Sequence, residues 1–549
     1  MKYRKIFALL LAAATLFSLA ACGETAAGPE ATPDPALDES AATVSGQTLT
    51  FAGAADDVFS LSLDYEESLN PVKTQSTLNQ LVDCLVYDRL FEVDENFNVT
   101  SRILSDWYYS KNEDSAGVWV LKVREGIQMH DGSTLTAQDV AYSVSCIFTS
   151  ERHKHLQQQV GRVYSSAYNG EVYLAVEGAD NAQLPQRMSI PVIKSGSVGD
   201  EIPVGSGPYM YNEDRTALVK FDGYENSESL PLDEVQLRAY RGMEELITEF
   251  ESGLVDLVVN DPTGIYNMGY GGKNEKRTIT TTNLHFNSQS RFFQYDAYRY
   301  AMNWIVNRNK IVSDTLDGNA VATVLPVHPN SALYDTSIAS QFSYDPSRCL
   351  TELERGACRD LDADGMLEFA LSGMKVDIEL NFAVCADNAA KVQEARRIAE
   401  DLEAIGIGVN LRELTWKDYL AALRSGYIDF DQEEPEIVMD MYLAEVALTG
   451  DWNILTLISG DWEDDNTLNY GGWDNSELEE LTEAYLGAKD DDRAQAVNDW
   501  LQLLTTTTVI LPVCFETREV ISHLGVISGM SPNQYDVFNN ITAWTVNIG

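Results

Sequence analysis

The stretch MHDGSTLTAQDVAYS, residues 129–143, holds the residue types of a general acid–base site. His130 stands beside Asp131, and a carboxylate that orients an imidazole can help it to move a proton near neutral pH. The same letters also have an architectural interpretation. Asp-Gly is a turn signal, and the spacing of Thr136 and Asp139 is that of a capping box at the start of a helix. This interpretation requires no catalytic partner for His130, so we favour it.

Other groupings with chemical potential are weaker. The Asp-rich loop DLDADG, residues 360–365, is similar to the start of an EF-hand, but its twelfth position is Leu371, which cannot supply the bidentate carboxylate of a calcium site. Residues 153–155, His-Lys-His, lie in a polar stretch typical of a surface loop. The 85 acidic residues make chance carboxylate pairs of the glycosidase kind plentiful, while neither GxSxG nor HExxH occurs. We predict no catalytic residue, no metal site and no cofactor.

The first 22 residues predict export. A basic start precedes an apolar run, residues 6–21, that is shorter than the roughly 20 residues of a comfortable membrane span. Small residues then lead to Cys22, the pattern of a bacterial lipoprotein signal whose cysteine becomes the lipidated first residue. An ordinary secretory signal with a chance cysteine is the alternative. Residues 23–47 are small, acidic and proline-bearing, so we expect a flexible tether there.

Composition bounds the rest of the chain. A sequence of 549 residues with 44% hydrophobic content is globular and too long for one core, so at least two domains are expected. The formal charge of −47 repels nucleic acid and anionic membrane surfaces, which excludes nucleic acid as a partner. The cysteines beyond Cys22 contain no CxxC pair. Cys349 and Cys358 could form a disulfide, but other cysteines lie in apolar runs typical of buried thiols, and the disulfide state stays open.

Two stretches repeat one pattern. GMEELITEFESGLVDLVV, residues 242–259, and TWKDYLAALRSGYIDF, residues 415–430, each indicate an amphipathic helix that ends at Ser-Gly and is followed by a short strand. Alternation over residues 376–384, a helical period over residues 392–405 and a second alternation over residues 407–411 indicate a βαβ unit. We predict two α/β lobes, with mixed sheets covered by helices and a ligand site beyond the strand ends or between the lobes.

Several phrases together resemble the family 5 extracellular solute-binding proteins, the oligopeptide- and dipeptide-binding components of ABC importers. In chain order they are Leu69-Asn70-Pro71, WVLKVREGIQMHDGSTLTAQDVAYS (119–143), VGSGPY (204–209), HFNSQSRFFQYDAYRYAMNWIVNRNKI (285–311), YDPSRCLTELERGACRDLDADGMLE (344–368), LNYGGWDNSELEEL (468–481) and VILPVCF (509–515). The phrases span nearly all of the chain beyond the tether. Each is weak alone, and the set is specific.

The resemblance implies a two-lobed clamp, the type II periplasmic-binding-protein-like fold with an extra N-terminal subdomain. Lobe I would comprise residues 48–275, including the subdomain at about 76–187, and a C-terminal return at residues 515–549. Lobe II would comprise residues 276–514. Two crossovers between the lobes would form the hinge, and closure would bury the ligand.

The resemblance also implies where the ligand binds. In peptide-binding members, an aspartate of lobe II pairs with the α-ammonium of the peptide, and backbone groups of both lobes extend the peptide like an added strand. The matching segment here is residues 436–453, and it lacks the Asp-Tyr-Pro-Asp-Pro-like run of those members. The ligand-binding residues that this match predicts are Glu445 as the best counterpart of the aspartate, Asp440 as the alternative, Tyr442, Asp451 and Trp452 nearby, Asn70 on the lobe I side and Asn287 after a lobe II strand.

We therefore expect a monomeric, lipid-anchored binding protein on the extracytoplasmic face of the cell membrane, either on the outer cell surface or in a periplasm. It would capture a small solute, with a short peptide as the first candidate, and deliver it to an ABC permease and ATPase complex. Nickel chelates, sugars and opines are other cargoes of the family and stay open. An exported hydrolase of peptide or glycan and a peptide-sensing receptor without transport are the alternatives.

Overall fold

The computed structural model describes residues 42–44, 47–49, 56–110, 117–177, 183–259, 272–371, 374–425, 427–428, 437–460, 468–488 and 490–548. The chain divides into two compact units, Met1–Thr50 and Phe51–Gly549. In the first unit the described residues form an antiparallel pair, β1 (Ala42–Val44) and β2 (Gln47–Leu49). The predicted signal peptide, its lipidated Cys22 and most of the predicted tether lie outside the described residues.

The second unit contains two strands that are much longer than the others, β14 and β23. Its described strands are β3 (Ser60–Leu63), β4 (Glu92–Val93), β5 (Val99–Thr100), β6 (Leu104–Ser110), β7 (Val118–Val123), β8 (Val163–Tyr168), β9 (Glu171–Val176), β10 (Tyr209–Tyr211), β11 (Ala217–Lys220), β12 (Glu234–Ala239), β13 (Leu257–Val259), β14 (Gly272–Phe286), β15 (Ala320–Ala322), β16 (Glu368–Leu371), β17 (Met374–Asp377), β18 (Glu379–Cys385), β19 (Gly408–Leu414), β20 (Tyr427–Ile428), β21 (Ile437–Val438), β22 (Met441–Ala447), β23 (Ile510–Ser522), β24 (Ile527–Ser528) and β25 (Thr545–Val546).

Helices cover the sheets of the second unit. The described helices are α1 (Thr77–Val86), α2 (Ala137–Ile147), α3 (Lys154–Val160), α4 (Met243–Glu251), α5 (Asp296–Ala301), α6 (Arg308–Lys310), α7 (Thr336–Ala339), α8 (Pro346–Arg355), α9 (Ala389–Glu403), α10 (Trp416–Ser425), α11 (Leu455–Ile458), α12 (Ser476–Gly487) and α13 (Asp490–Thr507). In the part of the chain that the structure describes, none of these helices is long and apolar enough to cross a membrane.

Three larger sheets organise these elements. A four-stranded sheet has the order β10-β11-β12-β3, in which β12 and β3 are parallel, and a second four-stranded sheet, β6-β7-β9-β8, is antiparallel throughout. The third sheet has the order β13-β23-β14-β22-β18-β19, with β15 also paired to β23. Its β18 runs parallel to both β19 and β22, while the other pairs are antiparallel. The predicted mixed sheets are thus confirmed.

Two large hydrophobic cores make the two lobes of the clamp. The first core gathers the two four-stranded sheets and α1, with Leu61 and Leu121 fully buried. The second gathers β18, α9 and α13, with Phe382 fully buried. On β23 the chain passes from one core to the other, since Phe515 packs in the second core and Val520 in the first. The predicted lobe boundaries fall within β14 and β23, and their position at single residues stays a prediction.

The crossover strands are irregular where they pass between the cores. The pairing of β14 with β23 shifts register between Arg277 and Thr281, and again between Thr282 and Asn283. A β-bulge interrupts the ladder and increases local twist, so it is a natural place for two packed bodies to bend relative to each other. The predicted crossovers between the lobes coincide with this segment, and its role as a hinge stays a prediction.

Local predictions from the sequence are largely confirmed. The βαβ unit is β18-α9-β19, and Gly406, which ends the helical segment, has a φ of +88°. A side chain there would also meet a backbone oxygen, because a Cβ on Gly406 would lie 2.4 Å from the carbonyl oxygen of Gly365. The continuous strand predicted over residues 376–384 is instead divided, with β17 in a separate hairpin and only β18 in the large sheet.

The opening stretch is architecture. Thr136 is the N-cap of α2, as predicted, and the Asp139 carboxylate accepts hydrogen bonds from its backbone N–H at 2.8 Å and its hydroxyl at 2.6 Å. His130 Nε2 lies 3.1 Å from the Gly207 carbonyl oxygen, while Asp131 pairs with a lysine. Burial lowers the pKa of His130. The histidine and its neighbouring aspartate therefore have separate structural partners.

The six described cysteines are free thiols. Cys349 and Cys358 are both fully buried, and burial raises their pKa values, to about 12 for Cys349 and to about 11 for Cys358. Thiols held so far from ionisation are small apolar residues of the second core rather than reactive groups. The disulfide that the sequence left open is not formed in this structure.

Candidate ligand-binding site

A cavity of about 940 Å³ lies where the first core meets the end of β22. On the side of the first core its wall includes α1, residues 187–191, the start of α4 and β13. From the other lobe, Ala447, Leu448 and Thr449 contribute, and Leu448 is part of the second core. Ligand sites commonly occupy about 300–1,000 Å³ and lie between domains. The cavity has the size and place of a clamp's ligand site.

Helix α1 is fixed at both ends, and this sets the wall of the cavity. At its start the Ser76 hydroxyl accepts a hydrogen bond from the Asn79 N–H, in the manner of an N-cap. At its end the Gly207 N–H donates to the Val86 carbonyl oxygen at 2.9 Å, and a Cβ on Gly207 would lie only 2.5 Å from that carbonyl carbon. The close approach needs glycine. Asp83 projects from the helix so anchored and lines the cavity.

The charged side chains of the wall are mostly arginines. They are Arg89, Arg152, Arg187 and Arg518, and Asp83 is the one acid among the described residues that line the cavity. Asp83 is buried, and within the described structure neither of its carboxylate oxygens has a hydrogen-bond partner. Burial raises the pKa of Asp83 to about 7, against the attraction of Arg152 and Arg89. The wall is thus locally cationic in a chain of formal charge −47.

Arg187 forms an ion pair within the protein. Its Nε donates to Asp451 at 2.6 Å, and the two side chains are 2% and 0% exposed. Arg187 is surrounded by residues of the first core, such as Met188, whereas Asp451 precedes Trp452 of the second core. This buried ion pair therefore joins the two lobes beside the cavity.

The other three arginines each retain N–H donors that form no hydrogen bond within the described structure. Arg89 donates to the Ser189 carbonyl oxygen at 2.9 Å and to the Cys84 sulfur at 3.4 Å, while its buried Nε has no partner in the described structure. Arg152 donates to the Pro71 carbonyl oxygen. Arg518 is exposed, and its charge favours the ionised forms of Glu445 and Glu516. A guanidinium offers five N–H donors in a fixed fork, so each of these side chains can bind a further oxygen acceptor.

The residues that the sequence match predicts as ligand contacts lie elsewhere in the described structure, and none of them lines this cavity. Asp440 accepts hydrogen bonds from the Ser290 hydroxyl and the Asn381 N–H, and the Asn287 amide donates to a backbone carbonyl at 2.8 Å. Tyr442 is buried and stacked on His285. Asp451 is in the ion pair described above, Trp452 packs on Phe97 and Phe515, and the Asn70 amide donates to the carbonyls of Val198 and Asp200. Ligand contact by these residues stays a prediction.

Glu445 belongs to a cluster of acids around Lys391. The Lys391 ammonium lies 2.7 Å from Glu394, 3.0 Å from Glu445 and 3.5 Å from Glu516. Although burial opposes ionisation of Glu445, Lys391 holds its pKa below the ordinary value, while burial and the neighbouring Glu445 raise the pKa of Glu516 to about 8. Near neutral pH the pair therefore holds one proton between its two carboxyl groups. Glu445 is bound inside lobe II in this conformation, and its pairing with a ligand cation stays a prediction.

The segment of lobe II that the sequence match selects contributes residues to the cavity wall, while the predicted side chains do not line the cavity. Residues 447–449 lie within the matched segment, and none of the three is acidic. The sequence did not predict the arginines of the cavity wall, because they are scattered along the chain and belong to no motif. The scarcity of basic residues was the available signal for these arginines, since the chain has 38 basic residues against 85 acidic ones.

The Asp-rich loop keeps its carboxylates close together. Atoms of Asp360, Asp362 and Asp364 lie within 4.8 Å of one another, and all three residues are exposed. Asp360 accepts hydrogen bonds from the backbone of Ala363 and Gly365. These carboxylates thus shape a turn, and the cluster alone does not make a cation site.

Comparison with known proteins decides the family. Residues 98–442 match the model of the bacterial extracellular solute-binding proteins, family 5 Middle, which is more than half of the chain. The chain belongs to this family. The oligopeptide-binding protein AppA of Bacillus subtilis (strain 168) is 23% identical over 376 residues, covering 64% of this chain and 67% of AppA. Heme-binding protein A of Haemophilus influenzae is 21% identical over 459 residues, covering 76% of this chain and 78% of the relative.

Solved structures of family 5 proteins share the fold. The crystal structure of NikA from Brucella suis in complex with Fe(III)-EDTA aligns with a TM-score of 0.67 at 15% identity, over 89% of this chain and 100% of NikA. At this identity the likeness concerns the two-lobed architecture and leaves the ligand undetermined. The family 5 chain described here is therefore a solute-binding protein by membership, and its own solute has to be argued from its cavity.

Proposed function

We propose that this family 5 protein is a lipid-anchored, extracytoplasmic receptor that captures a short peptide between its lobes and delivers it to an ABC permease. The cavity of about 940 Å³ carries the proposal, because both cores contribute to its wall and a ligand there would favour the closed arrangement of the lobes. The size suits a few residues of peptide. Relatives named for oligopeptides and for heme mark the range of solutes to be considered.

Peptide is the first candidate because of what the cavity edge offers. β22 ends at Ala447, and Ala447, Leu448 and Thr449 line the cavity at the end of this strand. Unpaired backbone N–H and C=O groups at a strand end can bind an extended peptide as an additional strand. The apolar lining, which includes Leu246, Val258 and Leu448, can accept side chains of varied shape.

The molecules that co-purify with the protein test the proposal. The chain carrying Cys22→Ser, purified without its predicted signal peptide, is examined by native mass spectrometry before any ligand is added. Co-purified masses that resolve into peptides are the expected result. An empty protein whose melting temperature rises with sugars or metal chelates, but not with a mixed peptide library, would keep the clamp and reject the peptide. The parent chain should fractionate with membranes and the variant should not.

A further inference from the structure

A second groove, of about 530 Å³, lies at another contact between the lobes. On the side of the first core its wall includes the turn between β4 and β5, parts of β6 and β7, and the residues Pro185 and Gln186. On the side of the second core, Leu333 and Trp452 contribute. None of the described residues that line this groove also lines the cavity of about 940 Å³. Because ligand sites commonly occupy about 300–1,000 Å³, the groove is large enough for a second small molecule.

The wall of the groove contains two large residues with strained backbone. Phe97, in the turn between β4 and β5, has a φ of +65°, and Trp452 has a φ of +61°. This left-handed conformation is unfavourable for bulky side chains and persists only where surrounding contacts impose it. The two rings meet edge to face across the lobes, with centroids 4.9 Å apart. Such residues are concentrated at ligand sites and switches, so the strain indicates a functional role for this contact.

Aromatic side chains that water can reach line the groove. Trp107, Tyr109 and Trp119 are half-buried, and Tyr108 is 45% exposed. They lie on β7 and on β6, which is an edge strand of its sheet. The face of an aromatic ring packs against apolar C–H groups of a ligand and requires no charged partner. These residues therefore favour a ligand that has a flat apolar face.

The polar side chains of the groove are mostly amides. The carboxamides are Asn96, Asn98, Gln183 and Gln186, and Arg493 is the one charged residue among the described lining residues. In a chain with 85 acidic residues, a wall whose described part contains no acid is unusual. A carboxamide offers both a donor and an acceptor, so it can bind a hydroxyl group in either direction. The wall therefore favours a neutral ligand that carries hydroxyl groups.

We propose that the groove is a second ligand site, which binds a neutral saccharide. A pyranose ring presents an apolar C–H face, which an aromatic ring can cover, and a rim of hydroxyl groups, which amides can bind. A purely apolar ligand would leave the amides without partners, and a charged ligand would find at most one opposite charge among the described residues. The saccharide contacts both lobes without entering the larger cavity, so the assignment does not depend on the identity of the transported solute.

The test measures binding of neutral trisaccharides to the purified Cys22→Ser chain. Maltotriose, cellotriose and triacetylchitotriose are titrated at pH 7.5 by isothermal titration calorimetry. We expect at least one of them to bind with a Kd of about 1 mM or tighter. Tyr108→Ala should weaken that binding about tenfold, because it removes an exposed ring from the wall of the groove. Failure of all three trisaccharides to bind would overturn the assignment.

Tyr164→Ala is the matched control. Tyr164 is 47% exposed, and it lies on β8 at the opposite edge of the same sheet. Each of the two tyrosine rings has a cation above it, the Arg162 guanidinium at 5.2 Å for Tyr164 and the Lys122 ammonium at 5.5 Å for Tyr108. Tyr164→Ala should bind the trisaccharide as the parent does. Equal affinity of Tyr108→Ala and the parent, or an equal loss in both variants, would show that the groove does not bind the saccharide.

Amide hydrogen exchange then locates the bound trisaccharide. Slower exchange is expected in β6, in β7 and in the turn between β4 and β5. Slower exchange in α1 and at residues 447–449 instead would place the saccharide in the larger cavity, which would overturn the groove assignment and contradict the peptide proposed there. A negative result in the calorimetric test alone overturns the groove assignment and leaves the proposed function standing.

Discussion

At the scale of single residues, the cluster around Lys391 decides how stability depends on pH. Three carboxylates share one ammonium inside lobe II, and Glu394 is 0% exposed. Three ionised acids would leave the cluster with a net charge of about −2 in a poorly solvated place, which is costly. The pKa of Glu516 is therefore raised and that of Glu445 is lowered. The two acids share one proton, which removes one negative charge from the cluster.

Glu516→Gln should make the protein more stable at alkaline pH. The folded pKa of Glu516 is about 8, above its ordinary value of 4.5, so its contribution to stability is fully present below pH 4.5 and is lost as pH rises through 8. Glutamine imitates the protonated acid at every pH. We expect the stability of the variant relative to the parent to rise by roughly 3 kcal/mol between pH 5.5 and 8.5, since each pKa unit corresponds to about 1.4 kcal/mol.

Urea titrations at the two pH values measure this difference. Glu403→Gln, at an exposed acid on α9, the helix that also carries Lys391, is the matched control and should show no such change with pH. A stability difference between Glu516→Gln and the parent that is the same at both pH values would mean that Glu516 titrates normally in the folded protein.

At the scale of elements, the Asp139 carboxylate fastens α2 to its surroundings. One oxygen accepts the hydrogen bonds from Thr136, and the other accepts the Ser195 N–H at 2.8 Å. Asp139→Ala removes the acid of the capping box and takes the acceptor from the partly buried hydrogen bonds of Thr136 and Ser195, at a cost of about 2 kcal/mol. Amide hydrogen exchange in α2 should accelerate about 30-fold, because 1.4 kcal/mol corresponds to a factor of ten.

A similar pair on α10 supplies the comparison. Asp418 accepts a hydrogen bond from the Thr415 hydroxyl at 2.8 Å, but both residues are exposed, so water replaces the lost contact. Asp418→Ala should accelerate exchange in α10 only about twofold, at a cost of roughly 0.5 kcal/mol. Equal acceleration in the two helices would show that burial of the Asp139 contacts adds nothing to the stability of α2.

The sequence predicts elements whose signals are local. The βαβ unit and the start of α2 follow from side-chain periodicity and from a cap within four residues, and both are found. The division between β17 and β18 was missed, because alternation over residues 376–384 does not tell which strand each half pairs with. The arginines of the cavity wall were missed for the same reason at longer range, since Arg89, Arg152 and Arg518 converge only through tertiary contacts.

At the scale of the whole molecule, two kinds of connection hold the lobes together. The crossover strands β14 and β23 connect the lobes through the backbone. Bulges interrupt their pairing, so bending is possible there. The ion pair between Arg187 and Asp451 is fully buried and joins side chains of different cores. A contact of this kind favours the arrangement in which the lobes touch, and it does so beside the cavity that a ligand would occupy.

Asp451→Asn should therefore loosen the clamp as well as destabilise it. The variant removes the negative charge that Asp451 places beside the buried Arg187, which costs about 3 kcal/mol or more. Replacing both residues by apolar ones, as in Arg187→Met with Asp451→Leu, should recover most of that loss. Small-angle scattering of the ligand-free variant should give a larger radius of gyration than the parent, and the double variant should return toward the parent value. If Asp451→Asn loses stability but keeps the radius of gyration of the parent, the ion pair stabilises the fold without holding the lobes together. The bulged strands alone would then set the angle between the lobes.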